Sequence, residues 1–163
     1  MKVRPANPDD RSLILSFIQK KSEFVGVASR NENCHIGAFS GLLQVSEDKI
    51  RKTLFGTIPF AYVLFAECSG QEVGFALYGF RYSSFAGQPS IWIDDLYVDD
   101  GMRNRGAGAA LMARLAQIAR ENDCTHIAWT AGARNTRGLS FYNRLGAEIT
   151  ERHGDRCFLR WLR

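Results

Sequence analysis

No stretch of this sequence stays apolar for long. The most apolar run, 58–66, has nine residues and contains Pro59, whereas a helix crossing a bilayer needs about 20. A membrane span is therefore not expected. The opening residues Met1-Lys2-Val3-Arg4-Pro5 carry no apolar region behind their charges, so a secretory signal is not expected either. Cysteine and histidine are sparse: Cys34, Cys68, Cys124 and Cys157, with His35, His126 and His153. None stands in a Cys-x-x-Cys pair or at zinc-ligand spacing, which excludes a metal site of that kind. Four thiols without a secretory signal are expected to be small, reduced, buried hydrophobes of a cytoplasmic protein. Charge of one sign is also lacking, since 21 Lys and Arg against 17 Asp and Glu leave only +4. That mild basic balance suits a phosphate-bearing ligand. With the basic residues dispersed, it argues against nucleic acid as a partner. No internal repeat or low-complexity tract is present.

What is there suits one globular domain over 1–163, because 45% of the 163 residues are hydrophobic and 12% aromatic. Val3 and its neighbours read as a short strand stopped by Pro5 and Pro8. Asp9 and Asp10 then open a helix, acidic where the helix dipole prefers it. Its apolar residues Leu13, Ile14, Phe17 and Ile18 recur at helical spacing. The polar, glycine-containing segment 26–41 reads as a long loop. Ser46 is an expected N-cap for a short helix to about 55. Strands are expected over 61–67, 73–82 and 91–98, the first two joined by a turn at Ser69-Gly70 and interrupted afterwards at Gly87 and Pro89. A helix over 106–121, a strand over 125–130, a short helix over 138–144 and a hairpin of 147–152 with 156–162 complete the chain. Antiparallel strands followed by a strand-helix-strand crossover indicate an α/β protein with a mixed, mostly antiparallel sheet.

The most informative segment is Asp99-Asp100-Gly101-Met102-Arg103-Asn104-Arg105-Gly106-Ala107-Gly108, which follows a strand and opens a helix. The first four amides of a helix have no internal partner, and its dipole attracts an anion there. Glycines let a ligand approach the backbone. With two arginines, the segment is suited to cradle a phosphate or pyrophosphate. It is not the dinucleotide fingerprint, because Leu111 stands where the third glycine belongs. It is not a Walker A loop, because Ala107 stands where lysine must be. A glycine-assisted tight turn into a helix is the purely structural alternative.

The pattern Arg103-x-x-Gly106-x-Gly108 resembles the coenzyme A signature of the GNAT superfamily of N-acetyltransferases. Downstream, Asn135 followed by Phe141-Tyr142-Asn143-Arg144-Leu145-Gly146-Ala147 looks like that superfamily's Asn…FYxxxGA segment. The strand Ile91-Trp92-Ile93-Asp94-Asp95-Leu96-Tyr97-Val98 is similar to the one that leads into its pyrophosphate loop. Within the superfamily the resemblance is greatest to the diamine (spermidine/spermine) and thialysine acetyltransferases, through Val73-Gly74-Phe75-Ala76-Leu77-Tyr78, the Asp94-Asp95 pair and Val3-Arg4-Pro5-Ala6. It is dense over 66–147 and thin before that. It implies the GNAT fold, with about six to seven strands and four helices. It also implies acetyl-CoA as cosubstrate without a metal, a homodimer, and direct attack of an amine on the thioester.

That chemistry sets three demands. The amine must lose its proton: with a pKa of about 10.4, only about 1 in 10³ is free base near neutrality. A carboxylate, directly or through water, addresses this. By resemblance Asp94 aligns with the family's base and Asp95 with a substrate-binding carboxylate. Either aspartate can equally be a strand-end carboxylate paired with an arginine. The thioester oxygen gains charge and needs a preorganised donor, implied to be a backbone amide around Tyr97 or Val98. The thiolate must leave, and Tyr142 matches the family's acid, although a core tyrosine beside Phe141 and Leu145 reads the same way.

The implied coenzyme-binding set is Leu96, Tyr97, Val98, Arg103, Asn104, Arg105, Gly106, Ala107, Gly108, Asn135, Ser140 and Tyr142, with Asn135 also a candidate helix N-cap. For the acceptor, Ser83-Ser84-Phe85 stands where spermidine-type enzymes carry an acidic residue and Trp. By resemblance this hydroxyl pair is nearer the thialysine-type pattern, whose acceptors are amino-acid-like. The expected acceptor is the primary amine of a small molecule, a diamine, a polyamine or a thialysine- or lysine-like amino acid, with Glu23 as a further candidate contact. Acetylation of another amine, such as an aminoglycoside or a protein N-terminus, and a non-catalytic CoA sensor remain alternatives.

Overall fold

The computed structural model describes residues 1–30 and 43–161. The strand-forming centre of the chain becomes a meander of β2 (Tyr62–Cys68), β3 (Gln71–Ser83) and β4 (Gln88–Val98). The β2–β3 turn uses Ser69 at φ 52° and Gly70 at φ 79°, the left-handed geometry that tight hairpins require. β1 (Lys2–Pro5) pairs antiparallel with β2. After β4 the chain forms α3 (Ala107–Glu121) and returns in β5 (Ile127–Gly132), parallel to β4. Then follow α4 (Thr136–Arg144), β6 (Glu148–His153) and β7 (Arg156–Trp161), with β7 between β5 and β6. α1 (Arg11–Arg30) and α2 (Glu47–Leu54) lie between β1 and β2 in sequence. The seven-stranded sheet, in the order β1-β2-β3-β4-β5-β7-β6, is antiparallel except at β4/β5. It matches the mixed sheet expected from sequence.

β2 is apolar on both faces because the sheet is covered on both. On one face Leu64, Ala76, Ile91 and Ile93 meet Leu111, Met112 and Leu115 of α3. On the other, Val63, Phe65 and Phe75 meet Ile14 and Phe17 of α1 and Ile50 of α2. Phe17 is 1% exposed, and its ring lies 5.3 Å from Phe75 and 5.7 Å from Phe65. Burying one such ring contributes about 1.5–3 kcal/mol. Ser46 caps α2 by accepting from the Lys49 amide, as expected.

Three boundaries differ from expectation. A 3-10 turn, Pro8–Asp10, capped by Asn7, precedes α1, so the helix begins at Arg11 rather than at the aspartates. α1 continues through 26–30, which composition had marked as loop. Once a helix is nucleated, each added residue gains a hydrogen bond, and an interior Gly costs only about 1 kcal/mol. The rest of that expected loop, with Cys34 and His35, lies outside the described residues. Pro89 sits inside β4 rather than in the break before it. It stands near the strand's start, where a missing N–H is tolerated, and its carbonyl accepts from the Thr125 amide at 2.9 Å.

Two irregularities of β4 position the site. Leu77 faces Asp95 while Tyr78 faces Ile93, so Asp94 is an extra, unpaired residue. This β-bulge inverts the alternation of the strand. Before it, Ile91 and Ile93 point to the α3 face. Beyond it, Leu96 and Val98 do so, and Tyr97 faces α1. On its other edge β4 pairs with β5 only at Ile91, Trp92 and Ile93. β5 runs on to Gly132 bonded to β7, so the two parallel strands part at Asp94.

Candidate active site

Past Ile93, one edge of β4 opens into the cleft between β4 and β5. Which amides face it follows from strand parity. The Asp99 amide donates to Val73 of β3 at 2.9 Å. In an antiparallel ladder every second residue shares that direction, so Tyr97 and Asp95 also turn their amides to β3. The amides of Leu96 and Val98 point into the cleft. Of the two donors expected from sequence, parity selects Val98 and removes Tyr97. The Val98 carbonyl faces the same way and accepts from Arg103 Nε at 2.9 Å.

The loop beyond β4 ends at Gly106, the N-cap of α3, at φ 89° and ψ −5°. That left-handed geometry disfavours any residue with a Cβ, and the space where a Cβ would stand is open. No side chain caps the helix. The helix ladder begins where the Ala110 amide donates to the Gly106 carbonyl at 2.9 Å, which leaves the amides of Ala107, Gly108 and Ala109 for an incoming anion. Asn104, at φ 61°, makes a second left-handed turn, and Arg105 is exposed. Arg103 is held instead by Val98, by an ion pair with Asp100, and over the rings of Phe24 and Tyr97 at 4.6 and 5.6 Å. Its guanidinium ties the loop to α1.

Gly108 has a different role from the one its motif suggests. A Cβ there would meet Phe141 Cζ at 3.2 Å, so this glycine lets α3 approach α4. Gly108→Val is expected to destabilise the fold by about 1–3 kcal/mol through overpacking, measured by denaturant unfolding. An unchanged midpoint would show that α4 yields freely at this contact.

The two aspartates diverge as the bulge dictates. Asp94 is exposed, whereas Asp95 is 9% exposed on the α1 side of the sheet. Asp95 forms an ion pair with Lys21 of α1. Burial pushes the Lys21 ammonium below its ordinary pKa; Asp94 opposes that shift and Arg156 adds to it. The preceding residue, Lys20, donates to both oxygens of Asp99 at 3.1 Å. Lys21 is the site residue that sequence reasoning missed. Its signal was present: a cation falls into the stripe Ile14, Phe17, Phe24 at helical spacing, where an apolar residue belongs.

On the far wall Tyr142 of α4 packs its ring 4.9 Å from Trp129 and 5.2 Å from Phe141. Burial pushes its hydroxyl up to about 12, so it stays protonated at any working pH. Trp129 Nε1 is buried without a hydrogen-bond partner among the described residues. Asn135 is the N-cap of α4, its Oδ1 accepting from the Gly138 amide at 2.9 Å. Ser140 is exposed on α4.

Ser83, Ser84 and Phe85 do not join this site within one chain. Ser83 is opposite Gln88 while Asp95 is opposite Leu77, six register positions away, or roughly 20 Å along the strands. The Ser83 hydroxyl accepts from the Ala86 amide at 3.2 Å and serves the turn. Phe85 is fully exposed at its tip. The physical reason is strand length: residues a dozen apart in sequence sit at opposite ends of a long hairpin. Glu23 is exposed on α1. Among the described residues no three His, Cys, Asp or Glu side chains converge on a metal position.

Comparison with known proteins places this architecture. The thialysine N-epsilon-acetyltransferase of Bos taurus is 28% identical over 165 residues, covering 96% of this chain and 89% of its own. The spermidine/spermine N(1)-acetyltransferase-like protein 1 of Homo sapiens is 33% identical over 100 residues, 57% of this chain and 14% of that protein. A solved aminoglycoside acetyltransferase from an uncultured soil metagenomic sample, in complex with sisomicin, shares the fold at a TM-score of 0.75. It is 17% identical, with 94% of this chain and 93% of that chain covered. The model of the acetyltransferase (GNAT) family matches residues 38–147. An open β4 edge, an uncapped glycine turn into α3 and this family match lead to one conclusion: the chain belongs to the GNAT family and is an acetyl-CoA-dependent N-acetyltransferase.

Proposed function

We propose that this protein acetylates the primary amine of a small lysine-like amino acid or diamine by direct attack. The observation that carries the reading is the bulge at Asp94. It sets an exposed carboxylate where β4 parts from β5, next to the edge whose amides are open. Acetyl-CoA would lay its pyrophosphate against the amides of Ala107, Gly108 and Ala109, with Gly106 leaving the approach clear. Arg105 and the Asn104 turn flank that path. The pantetheine would run along Leu96 and Val98, with the Asn135 side-chain amide and Ser140 on the opposite wall.

Asp94, directly or through one water, takes the ammonium proton. The free amine then adds to the thioester carbonyl carbon. Charge on the resulting oxyanion is met by the Val98 amide. The C–S bond breaks, the thiolate leaves, the remaining excess proton on nitrogen passes to water or to the departing sulfur, and Tyr142 donates a hydrogen bond to that sulfur.

Two further points are proposed. Exposed Ile58, Phe60, Tyr82 and Phe85, with half-exposed Tyr62 and Phe80, offer a homodimer its apolar surface. The free thiols of Cys68, Cys124 and Cys157 suit the reducing cytoplasm. No helix among the described residues is long and apolar enough to cross a membrane.

The decisive experiment follows thiol release from acetyl-CoA with thialysine, lysine, putrescine, spermidine, an aminoglycoside and an N-terminal peptide. The expected result is highest kcat/KM with a lysine-like amine or diamine. A preference for the aminoglycoside or the peptide would overturn the acceptor assignment.

A further inference from the structure

One residue on the inner face of α1 is left unexplained by packing. Ile14 and Phe17 bury themselves in the core, Phe24 meets Tyr97, and Lys21 falls in the same stripe. An ammonium there loses much of its water. It is offset by the ion pair with Asp95, itself 9% exposed. A second cation enters from the opposite side of the cleft. Arg156, at the start of β7, donates from Nη1 to Thr130 Oγ1 of β5 at 3.1 Å and lies near enough to Lys21 to oppose its charge.

We propose that Lys21 sets the acceptor class. Its ammonium cancels Asp95 and, together with Arg156, makes the cleft select a primary amine that also carries an anionic group, as an amino acid does, over a polycation. This rests on the acetyl-transfer reading given above. Among these described residues two carboxylates, Asp94 and Asp95, stand against two cations, Lys21 and Arg156, so the four groups together leave no net charge for a polycation to neutralise. A polyamine would bring several ammonium groups to an exposed carboxylate, Asp94, that already faces the Lys21 charge, and to two like charges. An amino acid with a side-chain amine divides its charges to match: amine toward Asp94, carboxylate toward Lys21 and Arg156, where charge-assisted hydrogen bonds are strong. The selectivity is thus assigned to an internal cation, independent of the hairpin tip at Ser83.

The test measures kcat/KM for thialysine, thialysine carboxamide and spermidine with the wild type, Lys21→Gln and Lys21→Arg. The carboxamide keeps the amine and removes the anion. The wild type is expected to favour thialysine over its carboxamide by about tenfold or more, and over spermidine. Lys21→Gln should raise KM for thialysine about tenfold, bring the thialysine-to-carboxamide ratio near one, and improve spermidine by freeing Asp95. Lys21→Arg, which keeps the charge, should keep the preference. Should Lys21→Gln fail to fold by circular dichroism, the wild-type carboxamide ratio and Lys21→Arg decide alone. A wild type indifferent to the carboxylate, or a ratio unmoved in Lys21→Gln, overturns the proposal while acetyl transfer stands. Absence of thiol release with every amine overturns the acetyl-transfer reading and this proposal with it.

Discussion

Tyr142→Phe is expected to lower kcat by about 10²–10⁴ with little change in KM. The substitution keeps the ring that packs on Trp129 and Phe141 at 4.9 and 5.2 Å, so the wall of the cleft survives. What it removes is the hydroxyl alone. Burial holds that hydroxyl up to about 12, against roughly 8.5 for a thiol. Full proton transfer to the thiolate is therefore uphill by about 5 kcal/mol, and the useful contribution is a hydrogen bond to sulfur as charge develops there. This carries a second consequence. The pH profile of kcat should show no falling limb from Tyr142 below about pH 11. Steady-state kinetics of the two proteins over pH 6–10 test both. A loss confined to KM would make Tyr142 a packing residue.

The second large effect is expected from Asp94→Asn. The side chain is exposed, at a residue without a register partner in β3, so the amide should be accommodated without loss of fold. At neutral pH kcat/KM should fall by about 10²–10⁴, the usual contribution of a positioned base. The fall should shrink as pH rises, because the free-base fraction of the amine grows about tenfold per unit below its pKa. Asp95→Asn should behave differently. It leaves the half-buried Lys21 without its charged partner, so its main effect should be on stability and acceptor choice. Equal deficits at pH 7 and pH 9.5 for Asp94→Asn would show that the carboxylate does not serve as the base.

Local signals read well wherever a single element decides them. Ser46 capped its helix, Ser69-Gly70 made its hairpin and the glycine turn opened α3, because each depends on backbone geometry over a few residues. The motif did not distinguish its glycines. Gly106 is required by its φ of 89°, whereas Gly108 is required by Phe141, more than thirty residues away. Nothing within Arg-x-x-Gly-x-Gly can separate a conformational need from a contact with another helix.

The chain order of strands and helices, the Asp94-Asp95 pair, the anion-ready start of α3 and Tyr142 on its helix were all legible from residue types and spacing. Such features are local and repeat with fixed periods. The bulge at Asp94 was not, because register belongs to two strands at once. It decided that Asp95 turns inward to Lys21, that Val98 rather than Tyr97 offers its amide, and that β4 and β5 part where they do. Strand length likewise carried Ser83 and Phe85 roughly 20 Å from the aspartates, a separation invisible along the chain. The meeting of α1 with β4 was decided by burial of Phe17 against Phe65 and Phe75. That packing carries Lys21, one turn further on, into the cleft. Charges that answer one another across such a contact are set by tertiary packing, since the residues bearing them are more than seventy positions apart.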